Sequence, residues 1–473
     1  MPEDSKPPAA LPASGAARHR LSPVDLAWLR MDDPTNLMMI TGVLTFDEPL
    51  PADRLLAVMH ERLATIPRFR QRVVGSYTTG RLFWEEDPAF DVSRHLERHT
   101  LPEPGDDDAL RALVSELMSR PLETDRPLWC FHLIDNYRGG SALMGRIHHA
   151  IGDGIALVLV LLSLAETTPE WPHRNTGEDS TNPFSALFTG HPGAIAKVRR
   201  HAEELMPEGM KLLLNPVEAL KAANPVLKGL ASIGAAGRLT FRPPDPRTPF
   251  RGALGKAKRA TWSDPLPVEE MREIAGRLGC NLNDVLLSSM AGGLGRYLES
   301  HGKRAEGLNF RAAVPVNLRP LERMGDLGNQ FGLIFLSLPV GMRDPVARLA
   351  ELRRRMRALK RSAEPVAAFQ ILRGLGLSPL ALQRAVVRLI ATKATAVMTS
   401  VPGPSHHLFL GGKRLSGIFF WVPQAGRVSL GISILSYAGE IRLGLASDAG
   451  LVPDPEAIIT GFYQELEALR GAG

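Results

Sequence analysis

The stretch that most constrains this chain is Arg146-Ile147-His148-His149-Ala150-Ile151-Gly152-Asp153-Gly154-Ile155. Before it, Ser141 to Ile147 is apolar and short enough to be a buried strand. After it, Ile155 to Ala165 is a continuous apolar run, with a small residue only at Ala156, Ser163 and Ala165, and reads as a helix. The histidines therefore sit where a strand gives way to a helix, a place where side chains face an opening rather than a core. Neighbours on an extended chain point opposite ways, so only one of His148 and His149 can face a given substrate.

Three readings of the pair follow from residue chemistry. The chain has 13 histidines, and a histidine beside a buried strand is often a satisfied core residue. A metal site needs His and Asp on a shared face; here Gly152 and Gly154 break the helix that would align them, and no His-Glu-x-x-His pattern occurs. The third reading is catalytic. Asp153 is costly in so apolar a segment unless its charge is paired, which marks the loop as built for a purpose.

His148-His149-Ala150-Ile151-Gly152-Asp153-Gly154 resembles the HHxxxDG motif of the CoA-dependent acyltransferase and condensation-domain superfamily, typified by chloramphenicol acetyltransferase. Arg126-Pro127-Leu128-Trp129, Asn283-Asp284, Pro315-Val316-Asn317-Leu318-Arg319 and Val401-Pro402-Gly403-Pro404 resemble, in that order, the bacterial wax ester synthase/diacylglycerol O-acyltransferase (WS/DGAT) family. The likeness runs from about Leu21 to the last helix. It implies an α/β protein of two chloramphenicol-acetyltransferase-like domains with a central active-site tunnel. It also implies transfer of a long-chain acyl group from acyl-CoA to a fatty alcohol or diacylglycerol, giving wax ester or triacylglycerol. Acyl-CoA is then a substrate, and neither a resident cofactor nor a metal is expected.

The resemblance distributes roles as follows. His149 is the general base and His148 orients it through a ring hydrogen bond. Asp153, with Gly154, holds the loop by pairing with an arginine, for which Arg319 is the candidate. Asn283 and Asp284 support the active-site wall, although capping of a helix explains that pair equally well. Thr399 and Ser400 stand where the family has Ser-Asn and are read as substrate-binding. Phe250-Arg251-Gly252 likewise replaces an expected Leu-Asn-Gly. Two other functions stay open: a condensation-domain-like transferase using other acceptors, and a catalytically inactive lipid-binding scaffold.

In chain order, residues 1–20 are rich in Pro, Ala and Ser without apolar period and read as a disordered tail. Residues 21–175 read as the N-terminal acyltransferase domain. Ser22 caps its first helix with Pro23 at the first helical position, and Met38 to Phe46, Val73 to Trp84 and Leu128 to Ile134 supply strands. Residues 176–251 form a partly helical crossover linker, and 252–473 the C-terminal acyltransferase-like domain. The linker is basic; such a segment fits both an anionic membrane or lipid-droplet surface and a strap packed across two domains.

Arg353, Arg354, Arg355, Arg357, Lys360 and Arg361 form a charged helix face, read either as solvated or as steering the phosphates of coenzyme A. The net charge of +6 suits either anionic lipid or a polyanionic substrate. Nucleic acid is disfavoured, because no aromatic interleaving or reader motif accompanies the basic residues. Two cysteines, Cys130 and Cys280, cannot support a disulfide framework and fit a reducing cytoplasm. No signal segment or run of about 20 apolar residues is found, so the expected location is cytoplasmic, with peripheral attachment to the inner membrane or lipid droplets.

Overall fold

The computed structural model describes residues 18–77, 81–171, 242–318, 327–360, 364–424 and 426–472. Most of the expected tail and linker, and Arg319, lie outside them. The described chain is a mixed α/β fold built on two large sheets.

Ten α-helices occur among the described residues: α1 (Pro23–Met31), α2 (Ala52–Val58), α3 (Asp107–Met118), α4 (Gly154–Leu164), α5 (Val268–Arg277), α6 (Leu282–Ser300), α7 (Pro345–Lys360), α8 (Glu364–Leu377), α9 (Leu380–Ala391) and α10 (Glu456–Arg470). The strands are β1 (His19–Arg20), β2 (Met39–Phe46), β3 (Gln71–Ser76), β4 (Arg81–Glu86), β5 (Leu96–Thr100), β6 (Trp129–Tyr137), β7 (Gly140–His148), β8 (Lys258–Trp262), β9 (Leu266–Pro267), β10 (Phe310–Asn317), β11 (Phe331–Leu338), β12 (Ala396–Pro402), β13 (Phe409–Leu410), β14 (Lys413–Trp421), β15 (Leu430–Tyr437) and β16 (Glu440–Asp448).

The helix starts follow local chemistry. Ser22 accepts the Asp25 amide at the head of α1. At α6, Asn281 and Asp284 close a reciprocal capping box. α2 runs directly into one π turn, Met59–Leu63, which is buried at Met59 and Leu63. β5, α8 and α9 are additions to the sequence reading. β5 alternates weakly and carries Glu97, Arg98 and His99. α8 presents apolar residues on several sides, so no single stripe marks it.

The first sheet has the order β13-β14-β2-β7-β6-β5, and the second β11-β10-β12-β15-β16-β8. A three-stranded β1-β4-β3 sheet sits beside them. β14 comes from the second half of the chain yet pairs antiparallel with β2, Trp421 opposite Thr41 and Phe419 opposite Val43. Each large sheet has its own core, one around Phe46, Phe69, Trp84, Trp129 and Phe131, the other around Phe250, Phe310, Leu336 and Phe462. A small cluster of Val24, Trp28, Met38 and Phe331, with Phe369 and Leu372 against it, joins α1 to β11 and α8. That cluster lies beside the histidines. Among the described residues, no helix is long and apolar enough to cross a membrane.

Candidate active site

β7 delivers the histidine pair and α4 leaves it. The His149 amide bonds the Met38 carbonyl at 2.7 Å, and the Leu157 amide bonds the Asp153 carbonyl, so the turn is tied to β2 on one side and starts α4 on the other. Gly152 bridges to Gly328, which lays the loop against the residues preceding β11.

The two rings diverge as alternation requires. His149 faces a cavity of about 430 Å³ whose walls are almost entirely apolar, including Ile40, Leu143, Leu157, Phe335, Ile371 and Leu435. His148 faces a second space of about 250 Å³ lined by Arg30, Asp32, Tyr77 and Arg384. The sequence reading had His148 orienting its neighbour through a ring hydrogen bond, and here the structure differs. His148 Nδ1 accepts the Ala150 amide at 3.0 Å and so braces the turn.

The group that orients His149 is Asn329, 180 residues away. Its Oδ1 lies 2.7 Å from His149 Nδ1. The Asn329 amide nitrogen donates to Asp25 Oδ1 at 2.9 Å and to the His149 carbonyl at 2.8 Å, which uses both of its hydrogens. The Asn329 oxygen must therefore be the atom that meets the ring, and it can only accept. His149 Nδ1 then carries the proton and Nε2 is left with a lone pair, for which no protein partner occurs among the described residues.

Asp25, on α1, is buried, and burial pushes its carboxyl upward from the ordinary range, with the Asn329 bond and Arg68 opposing. One turn later Trp28 stacks on His149, ring centroids 3.9 Å apart and planes 12° from parallel. Phe331 flanks the same ring at 5.6 Å.

Electrostatics keep the pair neutral. Burial lowers His149 to about 4, with Asp153 and the Asn329 bond pulling the other way. Burial, then the neighbouring His149, lowers His148 to about 3. At neutral pH, Nε2 of His149 is an unprotonated base beside an apolar cavity. A proton arriving there would gain from the Asp153 charge, the Trp28 face and the Asn329 oxygen.

Asp153 Oδ2 accepts the Gln330 amide at 3.1 Å, which joins the motif loop to the loop bearing Asn329. Its expected partner Arg319 lies outside the described residues. A Cβ on Gly154 would meet nothing within 4 Å, so this glycine keeps the cavity wall open rather than relieving a clash. Thr399 and Ser400, on β12, both line the apolar cavity.

Asn283 and Asp284 are absent from the cavity lining, and the structure gives Asp284 to the capping box of α6. The capping that the sequence offered for this pair is thus what Asp284 does at the head of α6, where the first amides need an acceptor. Trp129 is also structural, its Nε1 donating to the Phe69 carbonyl at 2.8 Å while its ring stacks on His95. On α7, Arg354 and Arg355 both pair with Glu351, and Arg355 also donates to Asn309 and Ser337.

Asp25, Trp28 and Asn329 escaped the sequence reading. Asp25 there looks like an ordinary first-turn acid. The one available signal was the polar Asn329-Gln330 pair just before an apolar strand.

Comparison with known proteins matches residues 21–286 to the wax ester synthase/diacylglycerol acyltransferase catalytic domain and residues 327–470 to the WS/DGAT C-terminal domain. A probable diacylglycerol O-acyltransferase of Mycobacterium tuberculosis is 26% identical over 467 residues, covering 95% of this chain and 96% of its own. Among solved structures, the wax ester synthase/diacylglycerol acyltransferase from Marinobacter aquaeolei VT8 superimposes with a TM-score of 0.67 at 22% identity, covering 95% of this chain and 98% of that one. The first condensation domain of the calcium-dependent antibiotic synthetase shares the fold, with a TM-score of 0.60 at 16% identity and 96% of each chain covered. With both of its domains matched and His149 of the motif set on the cavity wall, the chain belongs to the wax ester synthase/diacylglycerol acyltransferase family.

Proposed function

We propose that the protein moves a long-chain acyl group from acyl-CoA to a fatty alcohol or diacylglycerol, with His149 as general base. The observation that carries this reading is the fixed tautomer of His149, its free Nε2 facing an apolar cavity. An alcohol is a poor nucleophile until its proton is taken. Nε2 accepts the hydroxyl proton while the alcohol oxygen bonds to the thioester carbonyl carbon. The tetrahedral adduct then expels the coenzyme A sulfur, and the imidazolium returns its proton to that sulfur. No covalent acyl-enzyme is needed. Neither cysteine suits one: Cys130 is pushed up to about 12 by burial and then Glu97, and Cys280 is also raised by burial.

Acyl chain and acceptor share the apolar cavity, with Thr399 and Ser400 as polar contacts at its wall. The neighbouring surface supports delivery from lipid. Leu377, Leu382 and Leu389 of the α8–α9 hairpin are 71%, 53% and 44% exposed, and Arg373, Arg384 and Arg388 lie among them. Exposed leucines beside arginines fit an anionic lipid surface. On this reading the protein is peripheral to a membrane or lipid droplet. Flotation with anionic vesicles should be strong for the parent and weak for L377E/L382E; equal flotation would remove this part.

The activity itself is tested by coenzyme A release from palmitoyl-CoA with hexadecanol or dioleoylglycerol. Initial rates should give intersecting double-reciprocal lines, and palmitoyl-CoA alone should release no burst of thiol. Parallel lines with a burst would overturn direct transfer. Lipid binding without turnover on any acceptor would favour the scaffold.

A further inference from the structure

Away from both cavities, a cluster on the β5–β6 edge has donor chemistry that acyl transfer does not use. β5 and β6 run parallel, and their register sets Glu97 opposite His132. His99, two residues along β5, projects to the same face as Glu97. His132 Nδ1 lies 3.1 Å from His99 Nε2 and 3.3 Å from Glu97 Oε2. His99 Nε2 is 3.7 Å from that same oxygen.

Zinc bonds to nitrogen and oxygen are about 2.0–2.1 Å, so neighbouring donors in a tetrahedral site are about 3.3 Å apart. The three separations bracket that value. Burial also grades across the cluster: the His132 side chain is fully buried, while those of His99 and Glu97 are 22% and 44% exposed. An ion could therefore arrive from solvent and end against a fixed ligand. Cys130 stands beside them, its Sγ 3.7 Å from Glu97 Oε1.

We propose that Glu97, His99 and His132 bind a divalent transition-metal ion of the zinc class and so clamp the edge strand β5 to β6. Two imidazoles and a carboxylate are a ligand set suited to zinc, leaving one position for water or Cys130.

The surrounding charges set what binding must displace. Arg146 Nη1 is 3.4 Å from His132 Nε2, so in the metal-free protein the His132 proton sits on Nδ1, aimed at His99 and Glu97. A metal takes Nδ1 as the single ring proton of neutral His132 is exchanged through solvent onto Nε2, with no net proton lost from the ring, and the Arg146 contact ends. That contact is longer than a usual hydrogen bond, and Arg146 keeps the Arg120 carbonyl and Met39 Sδ. Arg120 Nη1, 4.0 Å from Glu97 Oε2, is half exposed and free to swing away. Both guanidiniums repel a cation, which makes the site weaker than a closed four-ligand one.

The sequence reading placed no metal here. His99 and His132 are 33 residues apart, and only the pairing of an inconspicuous edge strand brings them together.

The test uses untagged, full-length protein stripped with chelator, titrated with zinc and then with cobalt(II). The parent should take up about one zinc ion per chain, gain thermal stability with it, and show the visible absorption of four-coordinate cobalt. The exposed-side variants His99→Gln and Glu97→Gln, which leave buried His132 intact, should each lose about tenfold or more in affinity, together with the cobalt bands. No uptake by the parent, or equal uptake by parent and His99→Gln, would overturn the proposal. Acyl transfer plays no part in the readout.

Discussion

Replacing Asn329 probes the catalytic geometry more sharply than replacing the histidine itself. In Asn329→Ala, three buried groups lose their partner at once: the His149 Nδ1 hydrogen, the His149 carbonyl and Asp25 Oδ1. An orphaned buried polar group costs about 1–3 kcal/mol, so the variant should lose about 3 kcal/mol or more of stability. Turnover should fall further than folding explains. Without the Asn329 oxygen, nothing holds the hydrogen on Nδ1, and the tautomer with Nε2 protonated cannot accept the alcohol proton. A loss on the order of 10² to 10³ in kcat is expected, measured at a temperature where the variant is fully folded. Asn329→Asp supplies the second arm. It keeps an acceptor at Nδ1 but adds a negative charge beside the ring, which favours the imidazolium. The parent holds His149 down to about 4, so its base form persists well below neutral pH. In Asn329→Asp the acid limb of the kcat/KM profile should move to higher pH. The assay is coenzyme A release against pH with saturating hexadecanol. Parent-like kcat in Asn329→Ala, with an unmoved acid limb in Asn329→Asp, would refute the claim that this amide sets the base.

His149→Ala should reduce turnover by on the order of 10² to 10⁴ with acyl-CoA binding little changed, whereas His148→Ala should act chiefly by loosening the turn; the reverse order of damage would exchange their roles. Stability should fall as pH falls from neutral. Both rings are held neutral, at about 3 and about 4, while unfolded histidine titrates near 6.5, so the unfolded state binds the extra protons. At pH 5 each ring then costs about 2 kcal/mol. Thermal melts from pH 7 to pH 5 should show the decline, and His148→Gln should lessen it; an unchanged slope in that variant would contradict the buried, neutral assignment. Asp153→Ala strands the Gln330 amide and unlinks the motif loop from the Asn329 loop, so it should lower both melting temperature and turnover. Full loss of activity at parental melting temperature would assign Asp153 a direct part in the chemistry.

Local pattern determined much of this protein. The strand-turn-helix around His148 and His149, the Ser22 and Asn281 caps, and the opposite facing of the two rings all depend on neighbours within a few residues, where backbone geometry leaves few choices. Motif order was likewise enough to indicate the family and a mixed α/β fold. Tertiary structure alone decided which partners complete the site. Asn329 reaches His149 across 180 residues and Asp25 across 304. No periodicity records such a meeting, because it depends on β11 and α1 closing over β7 from different parts of the chain. The same holds for β14, whose alternation is plain but whose pairing with β2 is set by which sheet edge lies open to it. Asp284 shows the local limit: its bond to the Asn281 amide spans three residues, so the cap it forms was legible in the sequence.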